Sequence, residues 1–98
     1  MKIEEFCCVV NCEIEIAYRP GAVGPWITSI SRSGKSVSFK EQMGDGILST
    51  CTGWGATPEE SLIDFIRNCN ASKYKWLIID GCDGKQERQT FGIPKLER

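Results

Sequence analysis

The side chains best suited to chemistry in this chain are its cysteines, because it has six of them and no histidine. Without histidine, neither a Ser/His/Asp nor a Cys/His nucleophilic centre can be assembled. A structural zinc site needs four suitably spaced ligands, and the cysteines include no Cys-x-x-Cys pair. Disulfide frameworks are typical of secreted domains, and residues 1–5 lack the apolar core of a signal peptide. We therefore expect free thiols, no metal and no cofactor.

Other groups that could do chemistry have structural explanations. The carboxylate pair Glu59-Glu60 falls in the first turn of a predicted helix, where the helix dipole favours acidic residues. The pattern Gly53-x-Gly55 lacks the third glycine of a dinucleotide-binding motif. The pattern Gly34-Lys35-Ser36 does not join a strand to a helix, as a phosphate loop does. The sequence therefore predicts that the protein is not an enzyme.

Basic loops and tryptophans favour a binding protein instead. Arg32 and Lys35 fall in one predicted hairpin loop, and Lys85 and Arg88 fall in another. Such side chains either hydrogen-bond a phosphate or simply solvate a turn. Trp54 stands between two glycines at a predicted strand end, where backbone can approach a ligand closely. The alternative is that all three tryptophans fill the core.

A capped helix organises the second half of the chain. Thr57 suits the N-cap, Pro58 suits the first helical position, and Glu60 is placed to close a capping box. Apolar residues then recur at helical spacing on one face, at Leu62, Ile63, Phe65, Ile66 and Cys69. This pattern predicts a helix that covers one face of a sheet.

Five or six further segments have the alternation or apolar character of strands. The first is a row from Phe6 to Tyr18 that would place Cys8 and Cys12 in the core. The others are 26–31, 36–40, 47–52, 74–79 and, as an edge strand, 87–94. This order predicts an α+β fold: a single antiparallel sheet of about five to six strands, with one amphipathic helix packed on one face.

Length and charge bound the possible functions. A chain of 98 residues is expected to form a single α+β domain over 1–98. Twelve basic and thirteen acidic residues leave a net charge of −1, which gives no general attraction to DNA. No apolar run approaches the roughly 20 residues that span a bilayer. We therefore expect a cytoplasmic protein that binds neither membranes nor DNA directly.

The segment Gly-x-Gly-x-Thr-Pro-Glu-Glu-x-Leu at 53–62 begins a longer resemblance. It is followed by a predicted helix, an apolar strand, and a basic Lys85-x-x-Arg88 segment that ends in Ile93-Pro94-Lys95. This second half resembles small bacteriophage-encoded proteins. It is most similar to the Thoeris anti-defence sponges, which bind cyclic ADP-ribose signals between protomers and do not cleave them. The capping segment also resembles the helix start of HicB-type antitoxin domains.

The resemblance implies a non-catalytic homo-oligomer in the host bacterial cytoplasm, and it implies ligand-binding side chains. Aromatic side chains on or beside the helix would stack on the adenine. Amides at the helix end would hydrogen-bond the ligand, and basic side chains would pair with its phosphates, some from the facing subunit. The aromatic side chains are Phe65 and Trp54, and the amides are Asn68 or Asn70. The basic side chains are Arg88 and Lys85, with Arg32 or Lys35.

Three hypotheses about function follow. The first is a phage sponge for a cyclic nucleotide signal, of cyclic ADP-ribose or cyclic oligonucleotide type, which predicts a cavity lined by Arg88 and an aromatic side chain. The second is an anti-CRISPR-like inhibitor of a host defence protein, which predicts an exposed apolar patch without a pocket. The third is an antitoxin-like domain. It ranks last because such domains normally accompany a DNA-binding segment, and no helix-turn-helix fits this sequence.

Overall fold

A computed structural model of the chain describes residues 1–41, 48–71, 74–81 and 88–98. Within these ranges lie two helices, α1 (Ile3–Val10) and α2 (Pro58–Asn70). The strands are β1 (Glu13–Tyr18), β2 (Trp26–Ser31), β3 (Lys35–Lys40), β4 (Gly53–Gly55), β5 (Trp76–Gly81) and β6 (Gln89–Gly92). The predicted α+β class is confirmed, but the predicted number of helices is wrong.

The described strands form two antiparallel sheets of three strands each, so the prediction of a single sheet is wrong. The first sheet has the order β1-β2-β4 and the second has the order β3-β5-β6. A tight turn separates the two sheets, and its Gly34 has a φ of +72° that suits glycine. The predicted hairpin at this turn does not form, because β2 and β3 pair with different partners.

The first predicted strand is wrong over its N-terminal half, which forms α1. Asn11 ends this helix in the left-handed conformation, with a φ of 53°. Cys8 is exposed rather than buried in the core, while Cys12 is half-buried. The buried residues of α1 share one helical face and are Ile3, Phe6, Cys7 and Val10.

The predicted start of α2 is confirmed. Thr57 Oγ1 accepts a hydrogen bond from the Glu60 amide at 3.1 Å, and the Glu60 carboxylate accepts one from the Ala56 amide at 3.0 Å. Phe65 and Ile66 lie in the core as expected, but Ile63 is 40% exposed. The helix therefore buries a narrower face than the sequence pattern suggests.

Strand β4 lies directly against α2, and its two glycines make this approach possible. A Cβ atom at Gly53 would overlap the backbone of Ser61 and Phe65, and one at Gly55 would press on Ser61. Because both glycines face the helix, the alternation of a strand turns Trp54 to the opposite face. The glycines therefore serve helix packing, and not the close approach of a ligand that the sequence suggested.

The predicted strand 47–52 is displaced toward the C-terminus, since the strand observed here is β4. Ile47 lies outside the described residues, and Ser49 makes an isolated antiparallel bridge to Phe39. The two backbone hydrogen bonds of this bridge measure 2.8 and 2.9 Å. The segment thus passes from an edge of the second sheet to the first sheet.

One core joins both sheets and both helices. The rings of Phe39 on β3 and Phe65 on α2 meet edge to face, with centroids 6.5 Å apart. The hydroxyls of Thr28 and Ser61 hydrogen-bond at 2.7 Å where α2 crosses β2. Among the described residues, no helix is long and apolar enough to cross a membrane.

Candidate ligand-binding site

Phe65 was predicted to stack on an adenine, but the structure places it in the core. Its side chain is 1% exposed and packs against Phe39. A ring enclosed in this way cannot reach a ligand at the surface. The sequence pattern does not separate the two roles, because on the apolar face of α2 a core residue and a ligand-binding aromatic have the same spacing.

The two asparagines near the end of α2 hold backbone in place. Asn68 Nδ2 donates to the Thr52 carbonyl at 2.7 Å and contacts Asp64 Oδ2 at 3.4 Å. Asn70 forms a two-point contact with Leu96: its Nδ2 donates to the Leu96 carbonyl at 2.7 Å, and its Oδ1 accepts from the Leu96 amide at 2.7 Å. Both side-chain amides therefore hold segments of backbone that belong to no helix or strand.

Arg88 lies beside β6 and forms a bidentate ion pair. Its Nε is 2.7 Å from one carboxylate oxygen of Asp80, and its Nη2 is 3.1 Å from the other. Hydrogen bonding to Asp80 raises the pKa of Arg88, which therefore stays charged. The guanidinium is still half exposed. Residues 82–87, which precede Arg88, lie outside the described residues, so the predicted cavity lined by Arg88 stays a prediction.

Two of the other predicted basic residues, Arg32 and Lys35, lie at the same end of the second sheet as Arg88. Arg32 Nη1 donates to Gln89 Oε1 at 3.0 Å, and Lys35 is the register partner of Gly81. Gln89 pairs with Ile79 on the core-facing side, whereas Asp80 faces the other way. Arg32 and Arg88 therefore come to the same end of the sheet but on opposite faces. Lys85 lies outside the described residues.

Trp54 is exposed to 40% on the face of the first sheet that points away from α2. Its register partner is Ile27, whose partner on β1 is Ala17. The three side chains therefore form an apolar row across the open face, which we call the Trp54 row. The other two tryptophans are half-buried, and Trp26 packs edge to face on Tyr18 with centroids 5.3 Å apart.

A cavity of about 310 Å³ opens between the C-terminal end of α2 and the segment after β6. This volume lies at the lower end of the range of roughly 300–1,000 Å³ found for small-molecule sites. Six of its lining residues offer either charge, hydrogen bonds or apolar surface: Asn70, Tyr74, Lys75, Ile93, Pro94 and Lys95. We call this the α2-end cavity.

Backbone hydrogen bonds fix the walls of the α2-end cavity. The Lys75 amide donates to the Lys40 carbonyl at 3.0 Å, and the Lys75 carbonyl accepts from the Ile93 amide at 2.9 Å. Lys95 is held by its neighbour Leu96, which is 2% exposed and forms both hydrogen bonds with Asn70. By the alternation of a strand, Lys75 lies on the same face of the second sheet as Leu77, which is a core residue. The core ends and the cavity begins at position 75.

The charges at the cavity favour an anion. Lys75 and Lys95 are both exposed, and neither forms a salt bridge within the described part of the chain. The C-terminal end of α2 contributes the opposite sign, but a helix dipole corresponds to only about half a negative charge. Two ammonium groups outweigh it. Tyr74, Ile93 and Pro94 add the apolar surface that a ring needs.

Two buried thiols lie behind the cavity. The Sγ atoms of Cys51 and Cys69 are 3.8 Å apart, and Cys69 is also part of the cavity wall. The hydrogen bond with Cys51, followed by burial, raises the pKa of Cys69. In the ranges that the structure covers, no three His, Cys, Asp or Glu side chains come together to hold a metal ion.

The sequence predicted a ligand-binding role for one residue of the cavity and for none of the others. Asn70 was proposed as a ligand-binding residue and does line the cavity. Tyr74 and Lys75 were assigned to a strand, and Lys95 was noted only as part of a terminal motif. The one available signal is Lys75, a charge inside the most apolar run of the chain.

Comparisons with protein families, curated proteins and solved structures find no match.

Proposed function

We propose that this protein is a non-catalytic binding protein that sequesters a small nucleotide signal, as an anti-defence factor encoded by a phage and acting as a homo-oligomer. The host cytoplasm is the compartment in which such a signal would be met. The proposal keeps the function that the resemblance implies and moves its site from Arg88 to the α2-end cavity.

The observation that carries this proposal is the chemistry of the α2-end cavity. Lys75 and Lys95 supply two ammonium groups that form no salt bridge with a described residue, beside apolar walls that include Tyr74. A nucleotide joins phosphate charge to a flat ring, so it matches both parts of this lining. Among the described lining residues no nucleophile is paired with a base: the one thiol in that set, Cys69, is buried and its pKa is raised.

A thermal-shift titration tests the proposal, with cyclic ADP-ribose isomers and cyclic oligonucleotides as ligands. A ligand at a hundred times its dissociation constant stabilises the native state by about 2.7 kcal/mol. We expect one ligand class to raise the Tm of the wild type, and the Lys75→Gln/Lys95→Gln variant to lose most of that shift. Lys35→Gln is the matched control, since Lys35 is an exposed lysine at the opposite end of the second sheet.

The same titration separates the cavity from the site that the sequence suggested. Lys75 and Lys35 flank opposite ends of the paired strands β3 and β5, about 20 Å apart at the rise of a strand. An Arg88→Ala variant should therefore bind normally. Loss of binding in Arg88→Ala, with normal binding in the double lysine variant, would move the site back to Arg88. No shift with any ligand would contradict the proposal.

A second candidate function is direct inhibition of a host defence protein. The Trp54 row favours it, because an exposed tryptophan with apolar neighbours is a common anchor of protein interfaces. Plaque assays on bacteria that carry individual defence systems compare the two hypotheses. If a protein is the target, Trp54→Ala abolishes rescue of the phage and the double lysine variant does not. Sequestration through the cavity gives the reverse result.

A further inference from the structure

Strand β1 forms an edge of the first sheet that no described residue covers. Its register partners are all on β2, which lies on one side only. An uncovered edge presents backbone N–H and C=O groups that can pair with another strand. Two large apolar side chains of this strand are also exposed, since Ile16 is 39% and Tyr18 is 56% exposed.

The hydrogen-bond pattern shows which residues present these groups. The Arg19 amide donates to the Pro25 carbonyl at 2.7 Å, so the odd-numbered residues of this stretch point their backbone groups toward β2. In an antiparallel pair the bonded positions alternate. Ile14, Ile16 and Tyr18 therefore direct their N–H and C=O groups outward. These six groups can be satisfied by a strand with the same alternation.

We propose that two copies of this chain pair through β1, antiparallel and with Ile16 opposite Ile16 of the second copy. This register joins the two first sheets into one continuous sheet and forms six backbone hydrogen bonds, in three reciprocal pairs. On the α2 side it sets Ile16 against Ile16 and Ile14 against Tyr18. Pairs of β-branched residues with one another or with an aromatic stabilise adjacent strands.

Charge disfavours the neighbouring register that is centred on Glu15. Centring the pair on Ile16 places Glu13 opposite Arg19 of the second copy, and Glu15 opposite Ala17. A register centred on Glu15 would place this carboxylate opposite Glu15 of the second copy. It would also form only four backbone hydrogen bonds between the two β1 strands. Like charges directly opposite one another destabilise a strand pair, and opposite charges stabilise it. A register whose two-fold centre falls between two residues is excluded, because it would pair side chains that lie on opposite faces of the sheet.

The inference specifies the surface of the proposed homo-oligomer, and it is independent of which ligand the α2-end cavity binds. Sedimentation equilibrium of the ligand-free protein tests it. We expect a species of twice the 10.9 kDa chain mass that dissociates on dilution. Ile16→Lys sets two ammonium groups against each other at the centre and should weaken the dimer at least tenfold. Val9→Lys is the control, because Val9 is also an exposed apolar residue but belongs to α1 and not to β1.

A charge exchange tests the register itself. Glu13→Arg and Arg19→Glu should each weaken the dimer about threefold to tenfold, and the two changes together should restore it. Circular dichroism checks that every variant keeps its fold. A wild type that stays monomeric at all concentrations would overturn the inference, as would a dimer that Ile16→Lys leaves unchanged. Failure of the double charge exchange to restore pairing would overturn the register. None of these results would affect ligand binding by the monomer.

Discussion

Asn70 has a structural function that the sequence did not indicate. Its side-chain amide pairs with both backbone groups of Leu96, much as a neighbouring strand would. The sequence placed Asn70 correctly at the helix end, but which backbone it meets depends on a contact 26 residues away. An asparagine whose donor and acceptor are both occupied contributes to the cavity by holding its wall.

We expect Asn70→Ala to lower the free energy of unfolding by about 1–3 kcal/mol, since two hydrogen bonds to backbone are lost at a part-buried site. Urea denaturation measures this change. Arg67→Ala is the control on the same helix, because Arg67 is exposed and its ion pair with Asp64, at i,i+3, is a long one. Equal effects of the two substitutions would contradict the assigned function of Asn70.

The adjacent thiols Cys7 and Cys8 are expected to differ in reactivity. Cys7 is buried, and burial raises its pKa to about 11, whereas Cys8 is exposed. At pH 8 only about one Cys7 in a thousand would be a thiolate, which is the reactive form. Iodoacetamide at pH 8 should therefore label Cys8 well before Cys7, as peptide fragmentation by mass spectrometry can show. Labelling of the denatured protein, where both should react at similar rates, is the control.

That difference also distinguishes a helix from a strand at the N-terminus. In the strand that the sequence predicted, Cys8 would share the buried row of Phe6, and Cys7 would point outward. In α1 it is Cys7 that shares the buried face with Phe6. Faster labelling of Cys7 than of Cys8 would therefore support the predicted strand and contradict α1.

At the level of elements, the sequence was informative where local signals agreed. The start of α2 was correctly predicted because Thr57, Pro58 and Glu60 each favour the same boundary. The structure predicted for the start of the chain was wrong, because its apolar residues fit both the period of a strand and the period of a helix. Phe6 and Val10 belong to an alternating row and also to a helical face. Asn11, which ends α1, is the local signal that could have decided between them.

The contact between β4 and α2 gives a sharp test of the fold. Gly53→Ala should destabilise the protein by roughly 2–4 kcal/mol or prevent folding, because the new Cβ would overlap helix backbone that cannot move aside locally. Gly92→Ala is the matched control: it lies in strand β6, and its added Cβ would sit 3.6 Å from the Trp76 ring, an ordinary contact. Thermal melting of both variants gives the comparison. A Gly53→Ala protein as stable as Gly92→Ala would contradict this packing.

At the level of the whole molecule, the division into two sheets could not be predicted from local patterns. The strand segments were largely recognised, but their partners depend on long-range pairing, such as β3 with β5 and β1 with β2. The cavity has the same origin. Lys75 and Lys95 line one cavity because β6 and the segment after it return to the end of α2. Neither lysine has a neighbour in sequence that reveals this.

We propose that the protein captures a nucleotide signal and leaves it intact. Equilibrium dialysis tests this most directly: the protein is dialysed against cyclic ADP-ribose isomers and cyclic oligonucleotides, then denatured, and the released ligand is analysed by mass spectrometry. We expect one ligand to accumulate on the protein side and to be recovered unchanged, and the Lys75→Gln/Lys95→Gln variant to retain far less. Recovery of a cleaved product, or even distribution of every ligand across the membrane, would contradict the claim.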